Sequence, residues 1–380
     1  MSTPRVAIVH ERFTEYGGSE AVIAEFLRTW PGAPVFAPIA TDECVSAVRA
    51  AAGAPDAVFH PAALNPAYRA LGGRSHAPLL PLVPPVLRRL PLRDYDAVVI
   101  SHHSFAVSAA AATGAPVVAY VHSPARWAWD KAFRAREAGG RGGELALAAL
   151  GGLARRAELR AVPRLTHVVA NSAAVADRVR DWWGLPAAVV HPPVRIDRFA
   201  PDPALSRGEF FLMAGRLVPY KRADLAIRAA QRAGVRLVVL GEGRFRPALE
   251  AIAGPETTFL GAAPDDVLLD MYRRCRALLM PGVEDFGIVP VEAMACGTPV
   301  LAVGSGGALD TVLPGLSGAH VTPGDDDAVV AGLATAMRDF DDSAYDAAAI
   351  REHAVSFAPE AFRARMADVV NDVVTGVSPR

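Results

Sequence analysis

The chain predicts an α/β protein made of two Rossmann-like domains. Short apolar runs alternate with helix-like segments, one polar and proline-rich stretch breaks the alternation, and the pattern then restarts. Short strands without polar alternation, separated by helices, belong to parallel sheets covered on both faces. The length of 380 residues allows two or three domains at roughly 150 residues each.

In the first half, Val6–Val9 reads as a strand and Ser19–Arg28 as a helix opened by Gly17-Gly18. Ala97–Ser101, Val117–Val121 and His167–Ala170 are further strands, with helices expected at 104–112, 144–161 and 173–183. The prolines of APLLPLVPPVLRRLPL, at 77–92, exclude a regular helix. A buried irregular loop is preferred there over an acceptor-side or membrane-touching surface, because apolar segments are usually packed.

Residues 191–209, rich in Pro, Asp and Arg, read as a linker. Strands then follow at Phe211–Ala214, Leu237–Leu240, Thr258–Leu260, Ala277–Met280 and Val300–Val303, alternating with helices at 224–233, 245–253, 265–275 and 289–296. The domains are thus expected at about 1–200 and 205–355. A helical tail, 356–380, carries apolar Phe362, Met366, Val369 and Val370. It can pack back on either domain and is assigned to the first.

Acids (40) and bases (39) nearly cancel, so bulk attraction to nucleic acid is not indicated. No apolar run reaches the ~18 residues of a membrane span, and no secretory signal is expected from the way residues 1–9 lead into a strand. Cys44, Cys275 and Cys296 lack metal-ligand spacing, and a reduced, cytoplasmic setting is expected, with peripheral contact at the inner membrane face left open. Only Lys131 and Lys221 are lysines among the 39 basic residues. Where arginine is the default, a lysine can mark a place that needs a compact ammonium.

Ligands of open parallel sheets collect beyond the carboxyl ends of the strands. There the first domain offers His10, the Gly17-Gly18 turn, His102, His103, His122 and Asn171. A single strand-end histidine is more often structural; the concentration on one edge is the better signal. In the second domain Gly215-Arg216 and Lys221 lie on one loop, an arrangement that can grip a diphosphate, or is simply a solvated basic loop. The segment Glu284-Asp285-Phe286-Gly287-Ile288-Val289-Pro290 leads into a helix. The N–H groups of Gly287, Ile288 and Val289 would be free there to bind phosphate or sugar oxygens. Glu284 alone reads as a surface carboxylate, and Glu292 as a complement to the helix dipole. Gly304-Ser305-Gly306-Gly307 offers a second anion nest. Gly241-Glu242-Gly243 lacks the third glycine of a dinucleotide fingerprint. Asp94-Tyr95-Asp96 precedes its strand, at the wrong edge to hold a metal for a ligand. Neither a cofactor nor a metal is expected.

The spacing Glu284…Glu292 around Phe286-Gly287 resembles glycosyltransferase family four, the retaining enzymes of GT-B fold. GRLVPYKRAD at 215–224 resembles that family's phosphate-binding segment, YGGSE at 16–20 its N-terminal glycine loop, and VHSP at 121–124 its donor-side histidine. VHSPARWAWD and EDFGIVPVEAMACGTPV are similar to a bacterial branch with O-antigen-type mannosyltransferases. The resemblance implies two domains facing a cleft and a nucleotide-diphosphate sugar, GDP-mannose, as donor. The acceptor would be a saccharide, a lipid-linked molecule or a small metabolite. It implies that Arg216 and Lys221 neutralise the diphosphate, and that Glu292 accepts the ribose hydroxyls. Glu284 with the Phe286, Gly287 and Ile288 N–H groups would hold the sugar, and His122 would contact it from the other domain. Gly17, Gly18 and Gly215 would border the phosphates and Gly261 the base, leaving His10, His102 and Asn171 on the acceptor side. Asp310 departs from the family's usual Glu. A nucleotide-sugar epimerase of the same fold, or an inactive partner subunit that binds nucleotide sugar, is the alternative.

Overall fold

The computed structural model describes residues 4–73, 75–137 and 141–376. Contacts divide the chain into two compact units. One holds the residues up to Pro193 together with those from Pro359 onward, and the other holds Val194–Ala358.

The first unit contains β1 (Val6–His10), β2 (Val35–Phe36), β3 (Ala97–His102), β4 (Val117–Val121), β5 (His167–Ala170) and β6 (Ala188–Val189). They form one parallel sheet in the order β2-β1-β3-β4-β5-β6. Strands β1, β3 and β4 are buried throughout, as their continuous apolar composition requires. The register sets His10 beside Ser101 and Ser101 beside Tyr120, so the polar groups at the strand ends line up across the edge. β2 and β6 are two residues long, too short to register as an apolar run.

The second unit repeats the plan with β7 (Phe210–Ala214), β8 (Arg236–Leu240), β9 (Thr257–Gly261), β10 (Leu278–Met280), β11 (Val300–Val303) and β12 (Gly318–Val321), ordered β12-β11-β10-β7-β8-β9 and parallel. Its helices obey local signals. Gly234, with φ of +68°, ends the helix Ala223–Ala233, and the Asp325 carboxylate accepts the Ala328 N–H to start Asp326–Arg338. No strand or helix intervenes between Val189 and Phe210.

Two local expectations change. Residues 104–112 contain a 3₁₀ helix, Ala106–Ala112. The proline-rich 77–92 segment forms a 3₁₀ turn, Ala77–Leu82, and then a short α-helix, Val83–Leu87. Pro84 and Pro85 fall in the first turn of that helix, where a missing N–H is harmless. Leu79, Val83, Leu87 and Leu92 join the core beneath β1 and β3.

The helix Pro359–Thr375 buries Phe362, Met366 and Val370 in the core of the first unit. Phe362 stacks on Phe26 at 5.6 Å between ring centroids and meets the edge of Tyr120 at 5.5 Å, while Arg363 pairs with Glu25. Phe362→Ala is expected to destabilise the first unit by about 3–5 kcal/mol through the cavity it leaves. Equilibrium urea unfolding of the variant checks this, and an unchanged midpoint would show that the helix is only loosely attached.

Candidate active site

The loops after β7, β8, β9, β10 and β11 meet along the carboxyl edge of the second sheet. The loop after β7 begins at Gly215 and leaves Arg216 exposed, then makes a single turn, Pro219–Lys221. Arg222 follows with φ of +55°, held there by ion pairs to Asp224 at 2.9 Å and Asp326 at 2.6 Å. This turn sends Lys221 inward. The lysine is 8% exposed, and its Nζ donates to Glu284 Oε1 at 2.7 Å. The expectation of a lysine on an open basic loop is therefore corrected. Burial pulls the Lys221 ammonium towards neutrality, but the Glu284 carboxylate more than offsets this and holds its pKa above the ordinary range.

The backbone beneath this pair is close-packed. A Cβ on Gly282 would lie 2.5 Å from the Tyr220 carbonyl, and one on Gly307 would lie 2.2 Å from the Phe286 carbonyl. Gly307 N–H donates to the Glu284 carbonyl at 2.9 Å, so the loop after β11 braces the segment that carries Glu284. The N–H groups of Gly304 and Ser305 likewise donate to protein carbonyls. That glycine loop is thus a packing surface more than an anion nest.

Gly287, in the left-handed region with φ of +95°, opens the helix Ile288–Ala295. Its third position is Pro290, which has no N–H, and the N–H groups of Ile288 and Val289 have no partner among the described residues. They are available to an anion at the positive end of the helix. The Phe286 side chain is core, packed 5.6 Å from Phe357. Gly261 ends β9, accepts the Gly241 N–H at 2.8 Å and lies beside the Glu242–Arg246 ion pair.

Glu292 is partly buried in the first turns of that helix. Burial pushes its carboxyl up to about 7, against the opposing pull of the Tyr272 hydroxyl, which donates to it at 3.0 Å, and of the charges of Arg195, Arg198 and Lys221. Tyr272, Arg195 and Arg198 were not singled out from the sequence. The two arginines lie in the supposed linker, but Val194 and Phe199 around them are 1% exposed. Apolar Val194, Ile196 and Phe199, spaced among the charges and packed in the core, are the signal that this stretch is fixed structure.

In the first unit, the strand ends bring His10, Ser101 and His122 together with Glu20 from the following helix. Burial, together with the neighbouring His10, lowers the His122 pKa to about 3. The Gly17 N–H donates to Glu20 Oε2 at 3.0 Å, so it is not free for a phosphate. Gly18 is exposed as the first residue of the helix Gly18–Thr29. His102 departs from its acceptor-side assignment. It is wholly buried, accepts the Val107 N–H at 3.4 Å and bonds Glu158 at 3.1 Å, which also takes the Trp129 and Trp183 indole N–H groups. It organises the core behind the edge. Asn171 is 5% exposed, and its side-chain oxygen has no hydrogen-bond partner among the described residues. Asp96 is spent on the Arg5 N–H at the opposite edge of the sheet.

Two expectations follow. Lys221→Ala leaves the Glu284 carboxylate half-enclosed without its cation and should cost about 2–4 kcal/mol, whereas Lys221→Ala/Glu284→Ala should recover part of the loss. Denaturant unfolding of the three proteins gives the coupling, and additive effects would show that the pair does not act as a unit. Glu292 has a folded pKa near 7 against an ordinary value of 4.5. The folded state therefore binds more protons between those values, and stability contributed by the protonated form is lost as pH rises from about 4.5 to about 7. Glu292→Gln should become more stable relative to the parent across that window. Melting temperatures of both proteins from pH 4 to 8 check it, and parallel curves would contradict the raised pKa.

Residues 16–198 match the family described as Glycosyltransferase Family 4, and residues 196–352 match the family of group 1 glycosyl transferases. The chain is 31% identical over 296 residues to a D-inositol 3-phosphate glycosyltransferase of Thermobispora bispora, covering 70% of this chain and 67% of that protein. It is 31% identical over 248 residues to a GDP-mannose-dependent alpha-(1-6)-phosphatidylinositol monomannoside mannosyltransferase of Mycolicibacterium smegmatis, covering 51% and 65%. Against other D-inositol 3-phosphate glycosyltransferases it spans about a third of their length, 32% and 36% in two of them. The crystal structure of Anabaena HepE in complex with UDP and glucose superposes with a TM-score of 0.70 at 18% identity, over 97% of this chain and 100% of that one, which is a likeness of fold. With two parallel Rossmann-like sheets and these matches in sequence, the chain belongs to glycosyltransferase family four, of the GT-B fold.

Proposed function

We propose that this chain is a retaining, metal-independent hexosyltransferase that moves mannose from GDP-mannose to a saccharide, lipid-linked or small-molecule acceptor. The observation that carries the reading is the inward-turned Lys221, paired with Glu284 at 2.7 Å beside a helix start whose first N–H groups have no partner among the described residues. A fixed cation, a second cation on Arg216 and free amide donors are what a departing diphosphate needs. The mannosyl donor is supported by the GDP-mannose-dependent relative and by the VHSPARWAWD and EDFGIVPVEAMACGTPV segments.

In this reaction the bond between the sugar anomeric carbon and the diphosphate oxygen breaks, leaving an oxocarbenium-like sugar and extra negative charge on the diphosphate. Arg216, Lys221 and the Ile288 and Val289 N–H groups meet that charge. Glu284, anchored by Lys221, orients the sugar hydroxyls. Glu292, which accepts from the Tyr272 hydroxyl, takes the ribose hydroxyls in this reading, and His122 takes a hydrogen bond from a substrate hydroxyl. The acceptor oxygen bonds to the same face of the sugar, and its proton passes to the leaving phosphate. Fixed charges then do the work that a divalent ion does elsewhere, and no covalent sugar intermediate on Glu284 is involved.

The test is a thermal-shift panel of nucleotide diphosphates and their sugars, UDP-glucose included because the HepE structure holds UDP and glucose. Turnover of the best donor is then measured with and without EDTA. A ligand selective for the native state raises the melting temperature. GDP-mannose should give the largest shift, turnover should survive EDTA, and NMR of the product should show the donor's anomeric configuration. A larger shift with UDP-glucose would replace the donor, EDTA inactivation reversed by Mn²⁺ would introduce a metal, and an inverted product would overturn the mechanism.

A further inference from the structure

Four residues of the first unit form one unbroken hydrogen-bonded chain. Glu20 Oε1 lies 3.2 Å from His10 Nε2, His10 Nδ1 lies 3.1 Å from Ser101 Oγ, and Ser101 Oγ lies 2.8 Å from His122 Nε2. His10 and Ser101 are wholly buried, so no water competes for these bonds. The other carboxylate oxygen of Glu20 takes the Gly17 N–H at 3.0 Å and the Ser19 hydroxyl at 2.9 Å.

The polarity of this chain follows from what each group can donate. Burial raises the Glu20 pKa, but the bonds from His10 and Ser19 outweigh it and keep the group ionised and acceptor-only. His10 Nε2 must then carry a proton. In the neutral imidazole one ring nitrogen donates and the other accepts, so His10 Nδ1 is bare and accepts from the Ser101 hydroxyl. With its single proton committed to His10, Ser101 Oγ can only accept from His122 Nε2–H. The remaining ring nitrogen, His122 Nδ1, is left with a lone pair and no partner among the described residues.

We infer that Glu20, acting through His10 and Ser101, fixes the tautomer of His122 so that Nδ1 is presented as a hydrogen-bond acceptor for a substrate hydroxyl. Glu20, His10 and Ser101 are then positioning residues, with no substrate contact of their own. The catalytic consequence rests on the transferase reading; the tautomer itself does not.

One substitution should invert the chain. In Glu20→Gln, the Gly17 N–H can only donate, so the carboxamide oxygen must face it and the NH₂ must face His10 Nε2. That nitrogen becomes the acceptor, His10 Nδ1–H donates to Ser101, and the Ser101 hydroxyl turns to donate to His122 Nε2. His122 then carries its proton on Nδ1. Long-range ¹H–¹⁵N NMR of histidine-labelled protein at pH 8, with His122 assigned by its loss in His122→Asn, reads the tautomers directly. Expected are Nε2–H in the parent, Nδ1–H in Glu20→Gln, and no effect of Glu20→Gln on His122 when Ser101 is also changed to Ala. With GDP-mannose, Glu20→Gln should lower kcat by about tenfold or more, the size of one wrongly set buried hydrogen bond, and leave GDP affinity unchanged. His122 as Nδ1–H in the parent overturns the inference whether or not the variant folds, as does an unchanged His122 in folded Glu20→Gln. A parent protein inactive on every donor, with the tautomers as expected, would instead overturn the transferase reading alone.

Discussion

A lysine turned inward stays charged only if a carboxylate is held against it, and much of the second unit's edge serves that requirement. Glu284 is kept in place by the Gly307 N–H on its own carbonyl and by backbone contacts too close for any side chain at Gly282 or Gly307. Arg222, in a backbone conformation that few non-glycine residues adopt, is clamped by two aspartates and directs its neighbour inward. The free amides of Ile288 and Val289 follow because Gly287 turns the chain sharply into the helix. Removing any one of these restraints loosens the position of the ammonium, and with it the place where negative charge can be received.

The two edges solve different problems. In the second unit the polar groups are charges and free donors, suited to an anion. In the first unit they are histidines with lowered pKa values, a serine wholly committed, a Glu20 carboxylate taken up by His10, Gly17 and Ser19, and an asparagine oxygen with no partner among the described residues. Such an edge offers directional hydrogen bonds, which suit hydroxyl groups better than phosphates.

The sheets were legible in the sequence because continuously apolar runs such as Ala97-Val98-Val99-Ile100 can be satisfied only by burial on both faces. β2, β6 and β12 were not: two residues carry no period, and Gly318-Ala319-His320-Val321 is not a continuous apolar run. The helix Val83–Leu87 was hidden by prolines that turned out to occupy the one turn that tolerates them. Of the site, Glu284, Lys221 and the helix start at Gly287 were visible as motif positions, but the burial of Lys221 was not, because it depends on the turn at Arg222 and on two distant aspartates. His102 looked equivalent to His122 from its place after a strand. Only the packing of Glu158 and two indoles around it shows that it faces the core. Arg195 and Arg198 were masked by the prolines and aspartates of a stretch that composition marks as loop.

The chain leaves the first unit after Pro193, builds the whole of the second, and only then returns with the helix Pro359–Thr375. This has a consequence during synthesis. The second unit is contiguous and can fold as soon as its own residues have emerged from the ribosome. The first unit, although made earlier, lacks Phe362, Met366 and Val370 and so has an open apolar face around Phe26 and Tyr120 until the second has been translated. The order of translation and the order of completion are therefore reversed, and the nascent first unit has to be kept from aggregating through that face during the interval.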